Sequence, residues 1–362
     1  MSAPPFVPVS LADYERLGLE RLDANARAYL EGGAADEITV RENRAGFDRL
    51  RLTNRVLRDM RAAHTRLTLL GLNLDHPILI APTAFHKLAH PEGEIATVQG
   101  AGAARALVVA STQSSVTLEE IARAARAPLW FQLYVQPDRA LTFHLAQRAA
   151  TAGYAGLVVT VDAPVSLRNR EQRAGFRLPP GIDAANLRGA PQTAPCAGRI
   201  GDSPLFCGAI AGAPDWSDIA RLRADWHAPL LLKGILAPDD ALRAIDSGVD
   251  GLIVSNHGGR VLDTLPATID ALPALAEAVA GRVPLILDGG IRRGTDILKA
   301  LALGAAAVMV GRPCLHALAA GGAMGVAHMI HLLRAELEVA MTLTGCPTLA
   351  DINGAVLWRA PR

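Results

Sequence analysis

The chain has 362 residues, half of them hydrophobic and a fifth charged, so it can form a large apolar core and is not an intrinsically disordered protein. Its formal net charge of +1 at pH 7 gives no electrostatic reason to expect binding to nucleic acid or to an anionic membrane surface. An anionic ligand would therefore need a local site.

The first part of the chain, residues 1–75, predicts a helical segment rather than an export signal. It lacks the basic flank and the continuous apolar run of a signal peptide. Its peptide YLEGGAADE (29–37) places two glycines where a helix is expected to end. We therefore expect a cytoplasmic protein with a helical N-terminal segment.

From residue 78 onward, short apolar runs alternate with helical patterns. Fully apolar strands are typical of a parallel sheet covered on both faces. Helical patterns such as TLEEIARAAR and PDDALRAIDSG carry acidic residues near their starts. The alternation predicts an α/β protein, a (β/α)8 TIM barrel over residues 76–345, in one domain with a C-terminal tail over 346–362. The eight predicted strands are ILIAPTA (78–84), LVVAST (107–112), LWFQLY (129–134), GLVVTVD (156–162), PLLLKG (229–234), GLIVSN (251–256), PLILDGG (284–290) and AAVMVGR (306–312).

A long segment rich in Gly, Pro and Ala interrupts the alternation after the fourth predicted strand. Long loops in compact domains are usually functional or mobile. Residues 163–228 are therefore predicted to contain a mobile loop that covers the site, and they are not apolar enough to anchor in a membrane. The apolar stretch at 315–333 contains three histidines and several glycines, and we expect a buried helix there rather than a membrane span.

The four cysteines predict neither a metal site nor a disulfide framework. They lie far apart and none forms a C-x-x-C pair. We expect reduced thiols and no bound metal. The cysteines are Cys196, Cys207, Cys314 and Cys346.

Polar residues follow most of the predicted strands. The active site of a (β/α)8 barrel lies at the carboxyl ends of its strands, so these residues should form one ring. After the last two strands, DGGIRRGTD (288–296) and GRP (311–313) predict a phosphate site built from backbone N–H groups, a helix N-terminus, Arg292 and Arg312. The structural alternative is a pair of ordinary turns with solvated arginines.

The stretch SNHGGRVLD (255–263) combines a base with a carboxylate-binding group. The imidazole of His257 has an ordinary pKa near 6.5, and the guanidinium of Arg260 suits a carboxylate. Two intervening glycines are expected to leave space for a flat ligand. This combination suits removal of hydrogen from a carbon next to a carboxylate.

Three further side chains of the ring have a predicted role in this chemistry. Asp162 could hold an imidazolium in place, or cap the next element. Tyr134 could donate a hydrogen bond to a carboxylate or to a developing oxyanion, or pack at the rim. Lys233 ends an apolar strand and is expected to be held for an anionic partner rather than to reach solvent.

Motifs along nearly the whole chain, taken together, resemble the FMN-dependent 2-hydroxy acid oxidase and dehydrogenase family. Besides SNHGGRVLD, the resemblance rests on YLEGGAADE, APTAFHKLAHPEGE, FQLYV, TVDAP, LLLKGIL and DGGIRRGTDILKALALGAAAVMVGRP. It implies His257 as the catalytic base, Asp162 as its supporting carboxylate, and Tyr134 beside them. The substrate-binding residues that it implies are Tyr29, Tyr134, Arg168, His257 and Arg260. The FMN-binding residues that it implies are Pro82, Thr83, Ala84, Ser111, Gln132, Thr160, Lys233, Ser255, Asp288, Gly289, Gly290, Arg292, Gly311 and Arg312.

The resemblance implies FMN-dependent oxidation of an (S)-2-hydroxy acid to the 2-keto acid by a cytoplasmic homotetramer, with oxygen as acceptor and hydrogen peroxide as product. One alternative is a soluble dehydrogenase that uses a quinone or a carrier protein as acceptor. From other classes, the alternatives are a phosphate-binding isomerase or aldolase, with Lys233 as a Schiff-base amine, and a flavin-binding protein without catalysis.

Two departures from the family pattern affect the substrate site. Gln113 stands where glycolate oxidase has a tryptophan, which alters the pocket for the substrate side chain. The segment between Asp162 and Phe176 is one residue shorter than the family pattern, so Arg170 competes with Arg168 as the substrate contact from the loop.

Overall fold

Ten strands can be assigned in the computed structural model, which describes residues 7–190, 203, 205–206, 210 and 212–358. The first two form an antiparallel hairpin and the other eight close into a parallel barrel in sequence order, with the last strand beside the third. This confirms the predicted (β/α)8 barrel. The strands are β1 (Leu67–Leu69), β2 (Leu72–Leu74), β3 (Ile78–Ile80), β4 (Val108–Ser111), β5 (Leu129–Leu133), β6 (Leu157–Thr160), β7 (Leu230–Ile235), β8 (Gly251–Val254), β9 (Leu285–Leu287) and β10 (Ala307–Val310).

Helices precede the barrel and follow its strands. Three lie in the N-terminal segment, and the others cover the barrel from outside or lie in its loops. The helices are α1 (Leu11–Arg21), α2 (Ala24–Glu31), α3 (Ile38–Arg49), α4 (Glu94–Ala103), α5 (Leu118–Ala124), α6 (Arg139–Thr151), α7 (Asn169–Arg173), α8 (Trp216–Asp225), α9 (Pro238–Asp246), α10 (Thr268–Val279), α11 (Gly294–Ala302) and α12 (Arg312–Thr344).

The barrel strands are apolar throughout because both of their faces are buried. Side chains that point inward, such as Leu79, Val109 and Ile253, form an inner core, whereas their neighbours in sequence pack against the helices. Leu69 and Leu74 of the β1–β2 hairpin join this inner core. The hairpin therefore closes the end of the barrel opposite the predicted site, which leaves only the carboxyl ends of the strands open.

The structure differs from the sequence prediction at several boundaries. The predicted runs extend past the strands; the run at 78–84, for example, contains the strand Ile78–Ile80 and then turns over the barrel mouth. The segment 1–75 contains the β1–β2 hairpin besides its helices. The predicted loop at 163–228 contains α7 and α8, and α8 starts at a capping box formed by Asp215 and Asp218. Residues 191–202 of that loop, and Cys207, lie outside the described residues.

The helix α12 contains the apolar stretch predicted to be buried. Its backbone is non-helical at Gly321 and Gly322, where two helices meet at a kink. Among the helices of the described residues, α12 is the one that is long and apolar enough to cross a membrane. However, 67% of its most apolar stretch is buried inside the protein. It packs against α1, α4 and α11, as a core helix does.

We expect Gly100→Ala to destabilise the protein by about 1–3 kcal/mol, although alanine favours helices. A Cβ at this position of α4 would overlap the backbone carbonyl of Ala323 in α12. The measurement is the free energy of unfolding from chemical denaturation. The control is Gly102→Ala in the same helix, whose Cβ would lie 3.0 Å from the Cβ of the exposed Arg126, a contact that a small shift relieves, so this variant should lose clearly less stability. Equal stability of the two variants would contradict the prediction.

Candidate active site

A cavity of about 880 Å³ opens at the carboxyl ends of the barrel strands. It is lined by almost every residue that the sequence placed in the site, from Tyr29 in the N-terminal segment to Arg312 after β10. Asp162 and Ser255 are not part of the lining. They lie directly behind it, in contact with His257 and Lys233. The structure thus brings the predicted residues together around one cavity.

The turn after β8 presents His257 with an unusual backbone. His257 has φ +58°, and Gly258 and Gly259 follow with φ +62° and +75°. A non-glycine residue in this left-handed region is uncommon and is kept there only by its surroundings. The N–H of His257 donates to Ser255 Oγ at 3.1 Å, and the N–H of Gly259 donates to the carbonyl of Asn256 at 2.9 Å. The backbone itself therefore directs the imidazole into the cavity.

The two glycines of this turn serve contacts that differ from the predicted one. A Cβ on Gly259 would lie 2.7 Å from the backbone nitrogen of Val40, and one on Gly258 would lie 3.1 Å from Nη1 of Arg312. The glycines allow the turn to pack closely against the N-terminal segment, where the Ala34 N–H donates to the Gly259 carbonyl at 2.8 Å. Gly258 also lines the cavity, so the predicted space for a flat ligand stays a prediction beside these contacts.

The imidazole of His257 lies between an acid and a phenol. Its Nδ1 lies 3.0 Å from Oδ1 of Asp162, and its Nε2 lies 3.4 Å from the hydroxyl of Tyr134. Burial and the nearby Lys233 charge lower the pKa of His257, although Asp162 acts in the opposite direction. Burial also raises the pKa of Tyr134 to about 12, so the phenol keeps its proton. At neutral pH the site holds a neutral imidazole ready to accept a proton.

Lys233 is a buried cation held between two partners. Lys233 lies within β7, and its almost wholly buried side chain donates to Ser255 Oγ at 2.8 Å and lies 3.1 Å from Oδ2 of Asp288. Burial opposes its charge, but Asp288 and Asp162 outweigh burial and raise the pKa of Lys233. Lys233 therefore stays protonated, which does not suit the Schiff-base role of the aldolase alternative, since that role requires a free amine.

Two arginines converge beside the aromatic ring of Tyr29. Arg260 follows the His257 turn, and its guanidinium carbon lies 5.0 Å from the ring centre; for Arg168 the distance is 5.8 Å. Both arginines line the cavity, whereas Arg170 turns away and pairs with Glu37. The structure therefore places Arg168, and not Arg170, at the wall where a substrate carboxylate could bind.

The predicted phosphate site is arranged differently from the expectation. The N–H groups that begin α11 are already used, because Asp296 accepts from the N–H groups of Arg292 and Arg293, both at 2.9 Å, and Glu336 accepts from that of Gly294 at 2.8 Å. This helix N-terminus thus has few donors left for an anion. The prediction that a helix N-terminus binds the phosphate therefore gains no support at α11 and stays a prediction.

Other donors around the same end of the cavity remain available. The backbone N–H groups of Gly289, Gly290 and Gly311 make no hydrogen bond within the described residues. Gly290 has φ +85°, and a Cβ there would overlap the carbonyl of Asn43, so close packing of α3 also requires this glycine. Arg292 lies beside these groups, and burial lowers the pKa of its guanidinium. A buried cation of this kind favours an anionic ligand.

Arg312 makes contacts that the sequence did not predict. Its guanidinium donates to the carbonyls of Leu30, Gly32 and Gly258 at 2.8–3.0 Å. It therefore ties the N-terminal segment to the turn that carries His257, and only its remaining N–H groups can serve a phosphate. Arg312 has a structural role in addition to the predicted one.

Four further side chains that the sequence did not reveal organise the site. Asn43 of α3 and Asn256 exchange two hydrogen bonds, at 2.9 and 2.8 Å, which join α3 to the His257 turn. Asp263 accepts from the Thr39 N–H at 2.9 Å, at the start of α3. Glu171 lies between Arg168 and Arg260. Asn256 and Asp263 belong to SNHGGRVLD, and their polarity next to an apolar strand was the available signal.

The fold and the cavity define a (β/α)8 barrel of the kind found in oxidoreductases. The cavity is lined by a base, a pair of arginines that can bind a carboxylate, and an anion site. Comparison with known proteins gives the family. The sequence pattern of FMN-dependent dehydrogenases matches residues 19–359, and the chain belongs to this family.

Relatives and solved structures match over nearly the full chain. An L-lactate oxidase of Alicycliphilus denitrificans is 49% identical over 342 residues, which is 94% of each chain. A peroxisomal (S)-2-hydroxy-acid oxidase of Oryza sativa subsp. japonica is 44% identical over 96% of this chain and 95% of its own. A crystal structure of mandelate oxidase superposes with a TM-score of 0.88 at 39% identity, over 97% and 98% of the two chains. The predicted family, enzyme class and FMN cofactor are confirmed.

The residues around the cavity fit FMN, which has a polar ring edge, a chain of hydroxyls and a phosphate. Nε2 of Gln132 is a buried donor with no partner within the described residues, and Ser111 Oγ donates to its Oε1 at 3.1 Å, which turns the amide nitrogen away. Oδ1 of Asp288 is a buried acceptor that also lacks a partner there. Buried polar atoms are normally paired, and a ring edge and a hydroxyl would satisfy these two.

We expect Asp162→Asn to lower the pKa of His257 further. The Asp162 carboxylate raises this pKa against burial and the Lys233 charge, so its removal leaves only the effects that disfavour the imidazolium. The measurement is an NMR titration of the His257 ring. Asp183→Asn, which removes a carboxylate paired with Arg188 on the surface, is the control and should leave the titration unchanged. An unchanged or higher pKa in Asp162→Asn would contradict the prediction.

Proposed function

We propose that the protein oxidises a short-chain (S)-2-hydroxy acid such as L-lactate to the 2-keto acid, with oxygen as the electron acceptor and hydrogen peroxide as product. The observation that carries the proposal is the placement of His257, its Asp162 partner and Arg260 around one cavity that fits FMN. The relatives named L-lactate oxidase, at up to 49% identity, support the substrate class and the acceptor. Family membership disfavours the isomerase and aldolase alternatives.

Substrate binding is assigned to the two arginines and Tyr29. Arg260 and Arg168 both present guanidinium N–H groups to the cavity, and a carboxylate is the anion that such groups bind with two parallel hydrogen bonds. The Tyr134 hydroxyl, 3.4 Å from Nε2 of His257, is positioned to donate to the substrate hydroxyl or carboxylate. A 2-hydroxy acid held in this way lies with its reacting carbon beside the imidazole.

We assign Nε2 of His257 as the atom that accepts the proton from the substrate. The lowered pKa of His257 keeps this nitrogen unprotonated at neutral pH, as a base requires. When Nε2 takes a proton, the charge of the imidazolium is stabilised by the Asp162 carboxylate at Nδ1, 3.0 Å away. His257 and Asp162 therefore work as a pair in which the second residue stabilises the charge that the first one gains.

FMN, held by the residues around the cavity, would supply the two-electron redox chemistry between the substrate and oxygen. Pro82, Thr83, Ala84, Gln132 and Thr160 would surround its ring. Lys233 would place a buried positive charge beside it, which favours the electron-rich form. The phosphate would lie among Gly289, Gly290, Gly311, Arg292 and the free donors of Arg312.

We also propose that the protein is cytoplasmic and that it assembles as a homotetramer. The two described cysteines, Cys314 and Cys346, are free and buried, as expected in a reducing cytoplasm. Met324, Val339 and Leu343 of α12 are exposed apolar side chains that could be covered in the proposed homotetramer. Light scattering coupled to size-exclusion chromatography measures the assembly directly.

An anaerobic flavin-reduction screen tests the function. The purified protein, loaded with FMN, is mixed with glycolate, L-lactate, D-lactate, longer aliphatic acids and mandelate, and the loss of flavin absorbance is followed before air is admitted. We expect the fastest reduction with L-lactate and a return of absorbance with hydrogen peroxide in air. Reduction without reoxidation by air would favour the dehydrogenase alternative, and no reduction by any acid would overturn the proposal.

We expect His257→Ala to keep its FMN and to reduce flavin about 10²- to 10⁴-fold more slowly, because the base is lost while the anion site is intact. Stopped-flow absorbance under saturating substrate gives the rate. His144→Ala, on the exposed side of α6, is the matched control. A wild-type rate in His257→Ala would refute the assignment of the base.

Replacement of Arg260 by lysine should raise KM about tenfold or more and leave FMN binding unchanged. A lysine ammonium cannot reproduce the two parallel hydrogen bonds to a carboxylate, nor the contacts of the guanidinium with the carbonyls of Tyr29 and Gly32. Steady-state kinetics and the flavin content of the purified variant provide the two measurements. If KM stays at the wild-type value, Arg260 does not bind the substrate carboxylate.

A further inference from the structure

We propose that Glu171 is a positioning residue that assembles the substrate-carboxylate site from two separate parts of the chain. The inference rests on the proposed function, since it concerns how the same site binds its carboxylate. Oε1 of Glu171 accepts one hydrogen bond from Nη1 of Arg168 and another from Nη2 of Arg260, each at 3.0 Å. The side chain is only 13% exposed.

The two arginines come from different structural units. Arg260 follows the His257 turn of the barrel, and donates from Nη1 to the carbonyls of Tyr29 and Gly32 at 2.7 and 2.6 Å. Arg168 belongs to residues 166–176, which surround the short helix α7 and which we call the α7 segment. Among the described residues, the hydrogen bonds of the Arg168 side chain go to Ser166 and Glu171, both in this segment. Its place beside Arg260 depends on the α7 segment.

Two guanidinium groups that face the same cavity repel each other. The Arg168 charge indeed lowers the pKa of Arg260, besides the larger effect of burial. A carboxylate shared by both groups offsets this repulsion and fixes their separation through charge-assisted hydrogen bonds. Glu171 therefore stabilises an arrangement that the two arginines would not adopt alone.

Glu171 does not use up the donors that a substrate needs. An arginine has five N–H groups. The described contacts of Arg260 use both N–H groups on Nη1 and one on Nη2, which leaves Nε–H and one Nη2–H. Arg168 likewise keeps both N–H groups on Nη2. These free groups suit a second carboxylate, so Glu171 orients the arginines rather than replacing the substrate.

Further contacts attach the α7 segment to the N-terminal segment. The Ala35 N–H donates to the Leu167 carbonyl at 2.9 Å, and Arg170 donates from Nε to Glu37 at 2.7 Å. The ring of Phe176 stacks on Tyr29 with 4.7 Å between centres. These contacts bring α7 to the cavity. Among the ion pairs of the described residues, the pair between Glu171 and Arg260 is the one that joins α7 to the barrel.

The test compares Glu171→Ala, Glu171→Gln and Glu171→Asp as FMN-loaded enzymes. We expect KM to rise about 10- to 100-fold in Glu171→Ala, which corresponds to the loss of a charged hydrogen bond, and kcat to change less than about threefold. Glu171→Gln keeps the size of the side chain without its charge and should fall between Glu171→Ala and the wild type. Glu171→Asp keeps the charge and should restore part of the affinity.

A second measurement does not depend on turnover. Oxalate carries carboxylates but no C–H bond to oxidise, so its dissociation constant can be measured from the change in flavin absorbance of the oxidised holoenzyme. We expect this constant to rise by the same factor as KM. Asp183→Asn, which breaks the exposed pair with Arg188 after the α7 segment, is the matched control and should change neither value.

The outcomes separate the two proposals. If KM and the oxalate constant of Glu171→Ala equal the wild-type values, or fall below them, Glu171 does not position the arginines; a fall would identify it as a competitor of the substrate carboxylate. If the wild type is reduced by no 2-hydroxy acid, the proposed function fails, whereas the oxalate titration still tests the role of Glu171. Flavin content and melting temperature confirm that each variant is folded.

Discussion

The left-handed backbone of His257 is the constraint on which the site depends. A residue other than glycine keeps a φ near +58° only when its surroundings hold it there, and here they do so from three sides. Ser255 accepts from its N–H, Arg312 holds the carbonyl of Gly258, and the N-terminal segment donates to the carbonyl of Gly259. The base of a barrel enzyme is thus presented by a turn that the barrel alone cannot hold. This explains why the N-terminal segment is part of the site and not an addition to it.

The distribution of charge in the cavity decides what can bind there. The charge of Lys233 is offset by Asp288, 3.1 Å away, and Asp162 lies 3.0 Å from His257, where it can offset the charge that the imidazole gains with a proton. At the opposite end, Arg292 is partly buried, and its nearest carboxylate, that of Glu15, is 3.9 Å away. A buried cation without a close partner is costly, and an anion recovers that cost. The charges are therefore balanced around Lys233 and His257, whereas the end of the cavity beside Arg292, where a phosphate would bind, is positively charged. The same separation keeps the reacting groups away from the strongest fields of the anion site.

The sequence predicted those features that depend on local pattern and on the geometry of parallel barrels. Fully apolar runs identified the eight strands, and the rule that sites lie at strand carboxyl ends correctly placed His257 and Lys233 in the same site. The contacts between distant segments could not be predicted in this way. Asn43 lies 213 residues from its partner Asn256, and no periodicity marks it. Glu171 sits in a run of charged residues that looks like an ordinary solvated face. The glycines after His257 were recognised, but the close approach of Val40 to Gly259 and of Arg312 to Gly258 was not.

The position of the carboxylate-binding pair relative to the base explains why the substrate should be a 2-hydroxy acid rather than any hydroxy acid. Arg260 lies three residues after His257, and its guanidinium is fixed by two backbone carbonyls and by Glu171. The distance from the bound carboxylate to the imidazole is therefore set by the turn and does not adapt to the ligand. A fixed spacing of this kind favours substrates whose reacting carbon stands at one set distance from the carboxylate, as it does in every 2-hydroxy acid. Because the backbone that sets this distance is itself strained and held from outside the barrel, selectivity and catalysis depend on the same contacts.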